Sequence, residues 1–186
     1  LIGDFEAALG AFERMLRLSW VAASKTKAAV AFNKMGRVWR RKGDLKLALE
    51  YLNRGLELFR AAGDQRGIAG SLDDIGKSLL MLGKYDEAHA KITEALARRG
   101  KHGDKRAIAT SLSRLGDVQQ ERGQYEAAQV CHEEALELRR ASNDRWGVIV
   151  SQNHLAALAF ELGDYAAART GWLAALPEAE AIGALP

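Results

Sequence analysis

The chain has 186 residues, 48% of them hydrophobic, with 27 Lys+Arg against 24 Asp+Glu and a net charge of +3. That hydrophobic share belongs to a folded chain, and so mild a charge does not by itself call for nucleic acid. Cys131 is the only cysteine, which excludes an internal disulfide and fits a reducing compartment, and no apolar run approaches the ~18 residues that span a bilayer.

The predicted elements are all helical. Residues 4–20 set Phe5, Ala8, Leu9, Phe12, Leu16 and Trp20 on one stripe, in steps of three and four. Leu1-Ile2 reads as the tail of a preceding helix. The chain thus starts partway through a repeating unit, at Leu1 and not Met, and is expected to be an excised piece of a longer protein. Residues 24–42 follow, with Ala28, Ala31, Phe32, Met35, Val38 and Trp39 as the apolar face. Gly43 stops that helix in a left-handed conformation and Asp44 caps the next. Residues 45–61 turn Leu45, Ala48, Leu49, Leu52, Leu56 and Phe59 inward. The pair then recurs as 65–82 with 85–99, 105–122 with 125–141, and 145–162 with 165–176. Of the two prolines, Pro177 stands where earlier repeats are still helical. It is expected to end or kink the last helix about one turn early. No segment alternates as a strand does; Val148-Ile149-Val150 lies inside a helical pattern.

The punctuation has a fixed period. Gly3-Asp4, Gly43-Asp44, Gly83-Lys84, Gly123-Gln124 and Gly163-Asp164 are spaced 40 residues apart (43 − 3 = 40). Gly63-Asp64, Gly103-Asp104 and Asn143-Asp144 form a second series halfway between. A period of this size marks a repeat array in which each unit touches only its neighbours. The Gly43 series is expected to close the tight turn inside each hairpin, and the Gly63 series a longer loop between hairpins. One domain over 1–186 is expected, with repeats at about 1–23 (a second helix only), 24–63, 64–103, 104–143 and 144–186. Propeller repeats share the period but need strands, and are excluded.

Residue types narrow the choice. The first helices carry a large-small pair at Met35-Gly36, Ile75-Gly76, Leu115-Gly116 and Leu155-Ala156. The second helices open with Phe5, Leu45, Tyr85, Tyr125 and Tyr165, then place Ala8, Ala48, Ala88, Ala128 and Ala168 three residues on. A bulky residue follows at Phe12, Leu52, Ile92, His132 and Trp172, then a small one at Gly55, Ala95, Ala135 and Ala175, with Met15 departing. This resembles the tetratricopeptide repeat family across nearly the whole chain. The unit is 40 residues where the standard is about 34, and it lacks the usual terminal proline. Gly-Asp-x-x-Gly-x-Ala at Gly63 to Ala69 is similar to the longer repeats of LGN, kinesin light chain and bacterial Rap-type proteins. The resemblance implies a right-handed superhelical α-solenoid of antiparallel helix hairpins. Similar arrays are attached to bacterial serine/threonine kinases and signalling regulators, and the Ala- and Arg-rich composition suits a bacterial source.

An enzyme is not expected. His89, His102, His132 and His154 are not expected to cluster, and no two stand at the i, i+4 spacing of a helical metal site. Cys131, His132 and Glu133 are adjacent, so they face different directions on a helix. Cys131 reads as a half-buried small hydrophobe and His132 as a replacement at a core position. The glycines occur one at a time and form no phosphate loop. No metal and no cofactor is called for.

The resemblance also implies a concave groove lined by first helices. Carried over position by position, its centre is Asn33 and Arg37, Asp73 and Lys77, Ser113 and Asp117, Asn153 and Ala157. One turn later come Arg40, Leu80, Gln120 and Phe160. Arg66, Arg106 and Trp146 add to it near the helix starts, and Arg114 and His154 border it. Asn33 and Arg37, four apart, suit a peptide backbone and a carboxylate respectively. The line is basic toward Arg37, Arg40, Arg66 and Lys77 and more apolar near Trp146 and Phe160, which matches an extended peptide with an acidic end and an apolar end. Asp73 and Asp117 depart from the family's carboxylate clamp, and Asp73 can instead pair with Lys77 four residues on. A second basic stretch, Arg98-Arg99-Gly100-Lys101-His102 with Lys105-Arg106, is placed at a loop and has no interleaved aromatics for nucleic acid. At the open N-terminal end, Phe5, Leu9, Phe12 and Leu16 are expected to lose part of their cover and to offer a surface for self-association.

The reading is a non-enzymatic protein- or peptide-binding scaffold inside a larger cytoplasmic signalling protein, with no nucleic acid and no membrane among its partners. The alternative is a peptide-responsive sensor that regulates an attached kinase, ATPase or DNA-binding domain. A purely structural spacer is the third option, and it predicts no groove ligand.

Overall fold

The computed structural model describes residues 5–101 and 104–183. Leu1-Ile2, Gly3-Asp4, His102 and Gly103 lie outside them. The described residues contain no strand. They form α1 (Phe5–Val21), α2 (Lys25–Lys42), α3 (Leu45–Ala61), α4 (Gln65–Met81), α5 (Tyr85–Gly100), α6 (Lys105–Glu121), α7 (Tyr125–Ala141), α8 (Arg145–Glu161) and α9 (Tyr165–Ala181). The all-α hairpin architecture expected from the periodicity is therefore present. The chain separates into two compact units, Leu1–Arg98 and Arg99–Pro186.

In the first unit α1 packs on α2, α2 on α3 and α3 on α4, and α2 also touches α4. Acidic caps start the helices: the Asp44 carboxylate accepts from the Leu47 N–H at 2.9 Å, and Asp64 from Gly67 at 2.9 Å. Gly43 ends α2 at φ 90°, where its N–H reaches the Arg40 carbonyl. The small member of each large-small pair lets the hairpin close. A Cβ on Gly36 would stand 2.7 Å from Leu52 Cγ, and one on Gly76 2.5 Å from Ile92 Cγ1. Leu52, Leu72 and Ile92 are fully buried between the layers.

Of the apolar stripe at the N-terminal end, Phe5, Phe12 and Leu16 are only half-buried. Leu9 is buried with Met35 and Val38, and Phe5 and Phe12 pack on that cluster beside Trp39 and Tyr51. Trp20 is instead off the stripe and half exposed, because Ser19 takes the inward place and donates to the Met15 carbonyl at 2.7 Å. Against expectation, the two loop series are alike in length. α2 and α3 are joined by Gly43-Asp44, and α3 and α4 by Ala62-Gly63-Asp64. Gly63 has φ 69° and Gly83 φ 73°, so glycine of either series closes a loop of two or three residues.

In the second unit α6 packs on α7, α7 on α8 and α8 on α9. Asp104, Asp144 and Asp164 cap α6, α8 and α9, while Gln124 makes no side-chain cap bond to α7. α9 does not end a turn early. It runs through Pro177 to Ala181, and Ala175 and Ala179 are buried against Ile149 on either side of the proline. That packing holds the last turn despite the missing N–H.

Candidate functional site

The predicted groove residues of the first unit meet a buried acid that the sequence reading passed over. Arg37 Nε lies 2.6 Å from Asp74 Oδ2 and Arg40 Nη1 3.4 Å from Asp74 Oδ1. Arg40 also donates to the Asp74 carbonyl at 3.3 Å. The Asp74 side chain is 1% exposed, Arg40 12% and Arg37 51%. α2 thus brings two cations, three residues apart on one face, over one carboxylate of α4. A charge taken out of water needs such partners. One turn earlier on each helix, Asn33 Nδ2 donates to Ser71 Oγ at 2.8 Å, and Ser71 Oγ donates to the Gly67 carbonyl at 3.0 Å. This polar seam fixes α2 against α4.

Asn33 and Asp73 are therefore not on the open surface where the groove expectation puts them. Both are buried. A Cβ on Gly55 of α3 would clash with Asn33 Oδ1, so Asn33 faces the partner helix of the hairpin. Arg66 and Lys77 are exposed, and Leu80 half-buried. Beside Arg37 there is a pocket lined by Phe12, Lys34, Arg37, Val38 and Arg41, in which three cations stand over an apolar floor.

The second basic stretch is not a free loop. Arg98 and Arg99 belong to α5. Arg98 Nη2 bonds Glu94 at 2.9 Å and Nη1 bonds Gln65 at 2.8 Å. Arg99 folds onto the Ala107 carbonyl and donates to Ser111 Oγ at 2.9 Å. Forty residues on, Arg139 Nη1 does the same with the Gly147 carbonyl at 3.1 Å and Ser151 Oγ at 2.6 Å. Burial pulls the Arg139 guanidinium below its usual range, against the pull of Asp144 and Asp117.

In the second unit Ser113 is buried at the same repeat position as Asn33, and its hydroxyl makes no hydrogen bond. Arg106 is exposed and donates to the Ser142 carbonyl at 3.1 Å; Gln120 is half-buried, and Trp146 and Asn153 are exposed. Phe160 meets Tyr165 edge to face and Trp172 at a tilt, ring centroids 5.2 and 6.0 Å away. Asp117 carries the unexpected feature. Its Oδ1 lies 3.4 Å from His154 Nδ1 and 3.9 Å from His132 Nε2. The two imidazoles meet edge to face with centroids 4.8 Å apart. His132 and His154 do meet in space, against the sequence reading. His132 is fully buried beneath Gly116, and neither of its ring nitrogens has a hydrogen-bond partner. Burial foremost, then His154 and Arg139, bring its pKa down to about 3. Next to it, burial and Glu134 push the Cys131 thiol up, which makes it a poor nucleophile.

The signal that would have found both clusters is an offset of 37 residues, one repeat less three. Arg37 and Asp74 have it, and so do Asp117 and His154 (154 − 117 = 37). The same two repeat positions hold a polar pair in each unit.

Solved structures share this fold. BtubC (BKLC) from P. vanneervenii aligns over 99% of this chain and 76% of its own, at 19% identity and a TM-score of 0.78. A putative kinesin light chain of Podosopora anserina with nearly identical TPR-like repeats aligns over 98% and 90%, at 14% identity and TM-score 0.72. A Rap protein complexed with Competence and Sporulation Factor aligns over 95% of this chain at 15% identity and TM-score 0.86, and the chain spans 50% of that protein's length. No curated protein sequence matches the chain significantly. No helix of the described residues is long and apolar enough to cross a membrane. The tetratricopeptide repeat family matches over residues 27–101 and 102–177, and the chain belongs to that family.

Proposed function

We propose that the chain is a non-enzymatic scaffold that binds protein or peptide segments, acidic ones foremost, on the exposed face of its first helices, within a larger signalling or regulatory protein of the cytoplasm. The observation that carries this reading is the pocket of Phe12, Lys34, Arg37, Val38 and Arg41, which pairs cations with apolar surface. A carboxylate of an incoming segment meets Lys34, Arg41 and the exposed half of Arg37, while an apolar side chain covers Phe12 and Val38. Arg66 and Lys77 extend the basic face in the first unit. Arg106, Gln120, Trp146 and Asn153 serve the same purpose in the second, with Trp146 the apolar contact. Asn33, Arg40, Asp73 and Ser113 support the helices rather than touch the ligand. The polar seam holds this face rigid before binding, which lowers the ordering cost of association. Tetratricopeptide repeats are in general protein-interaction scaffolds, and a Rap protein of the same fold is found complexed with a factor.

The test is fluorescence anisotropy with an extended Glu-rich peptide that ends in apolar residues. Lys34→Ala/Arg41→Ala/Lys77→Ala should weaken binding at least tenfold and leave the helical circular dichroism unchanged. Affinity should also fall as salt rises, since these charges are exposed. Equal affinity in the wild type and the triple variant overturns the reading.

A further inference from the structure

His132 occupies the repeat position held by Leu52 and Ile92, both fully buried. An imidazole there gives up apolar burial and leaves two buried ring nitrogens without partners. A buried polar group left unsatisfied is costly, and where a protein keeps one it points to an ion, a water or a function. The ring is not alone. α6 supplies Asp117, α7 supplies His132 and α8 supplies His154, whose Nδ1 also makes no hydrogen bond. One ligand atom from each of the three lies within 4.8 Å of the other two.

We propose that Asp117, His132 and His154 bind a divalent transition-metal ion of the zinc type. The donor set suits it: imidazole and carboxylate are ligands of borderline ions, whereas calcium and magnesium ask for oxygen alone. Zinc holds nitrogen and oxygen donors about 2.0–2.2 Å away, which places them about 3.3 Å from one another in a tetrahedron. The Asp117–His154 pair already stands at 3.4 Å and the Asp117–His132 pair at 3.9 Å. The widest pair must close by at most about 1.5 Å, within reach of side-chain torsions. Asp117 offsets one of the metal's two charges. Arg139 opposes it, but that guanidinium is turned onto the Gly147 carbonyl and Ser151 Oγ. Three protein ligands leave a fourth position for water or a ligand of the partner.

Bound metal would join three consecutive helices at the positions where Arg37 and Asp74 join α2 to α4 in the first unit. The same inter-repeat position thus carries an ion pair in one unit and a metal staple in the other. Metal affinity is set by the two histidines and one aspartate together, so each single loss removes a third of the ligand set.

The 186-residue chain, stripped of metal with a chelator, is titrated with Zn2+ and with Co2+. Expected are one Zn2+ per chain, a rise in Tm, and visible Co2+ absorption bands. His154→Ala and Asp117→Asn should each weaken Zn2+ binding more than tenfold. His132→Leu should abolish the Co2+ bands while folding well, because leucine is the residue of this position at Leu52. His89→Ala, outside the cluster, should bind as the wild type does. The proposal is overturned if the wild type shows no Co2+ bands and no Tm rise, or if His132→Leu and His154→Ala respond to Zn2+ as the wild type does.

Discussion

At the residue scale, His132 sets the most unusual terms. In the metal-free protein its pKa of about 3 lies below the ordinary 6.5, because burial disfavours the charged ring. Above pH 6.5 the ring is neutral in both folded and unfolded chains and costs nothing in protonation. Between 6.5 and about 3 the unfolded chain takes up a proton that the folded one refuses. Stability from this group therefore falls as pH falls through that window, by about 1.4 kcal/mol per pH unit. His132→Leu should remove that acid limb and raise metal-free stability at pH 7 by about 2 kcal/mol, read by urea unfolding at pH 7 and pH 5. A wild-type curve as flat as the variant's would show that His132 charges without penalty. Ala23 is a smaller case. It stands at φ 49°, the left-handed turn position that glycine fills at residue 63. Ala23→Gly should stabilise by about 1 kcal/mol, seen as a higher Tm.

At the element scale, capping and packing decide where helices begin, end and meet. Gln124 is the unfilled cap of α7 in a register that Asp44 and Asp164 cap well. Gln124→Asp should add about 1 kcal/mol, measured by thermal unfolding. Asp74 tests the seam between α2 and α4. Asp74→Asn takes the carboxylate charge away from the nearly buried Arg40, while Arg37, half in water, loses little. The expected cost is about 2–3 kcal/mol, below the value for a fully buried pair. No change in the urea midpoint would mean that the seam does not hold the helices. These boundaries were legible in the chain because Gly, Asp and the apolar stripe are local signals. α2 to α4 start and stop within a residue or so of the expected limits. Pro177 reads as a stop because its cost is local, whereas the compensation at Ala175, Ala179 and Ile149 is not.

At the scale of the whole molecule, each compact unit carries its own polar junction between first helices, and these junctions are what the sequence did not disclose. Arg37 with Asp74, and Asp117 with His132 and His154, are 15 to 37 residues apart. They come together only once the helix register, the small residue at Gly116 and the 40-residue stagger are combined. The position of Asn33, Asp73 and Ser113 reads as surface because the family assignment fixes a helix face but not how deep a given turn sits; all three are buried, and at Asn33 it is Gly55 that lets α3 approach. Arg66 and Lys77 were legible as exposed cations, whereas Lys34 and Arg41 gave no signal of their own and come to notice only through the pocket they line beside Phe12 and Arg37. The central claim is that partners sit on the face of the first helices. Lysine acetylation read by mass spectrometry, with and without saturating Glu-rich peptide, tests it site by site. Lys34 and Lys77 on α2 and α4 should become several-fold less reactive, while Lys46 on α3 and Lys84 before α5, both also exposed, should not change. Undiminished reactivity at Lys34 and Lys77, or equal protection at Lys46, would contradict the account.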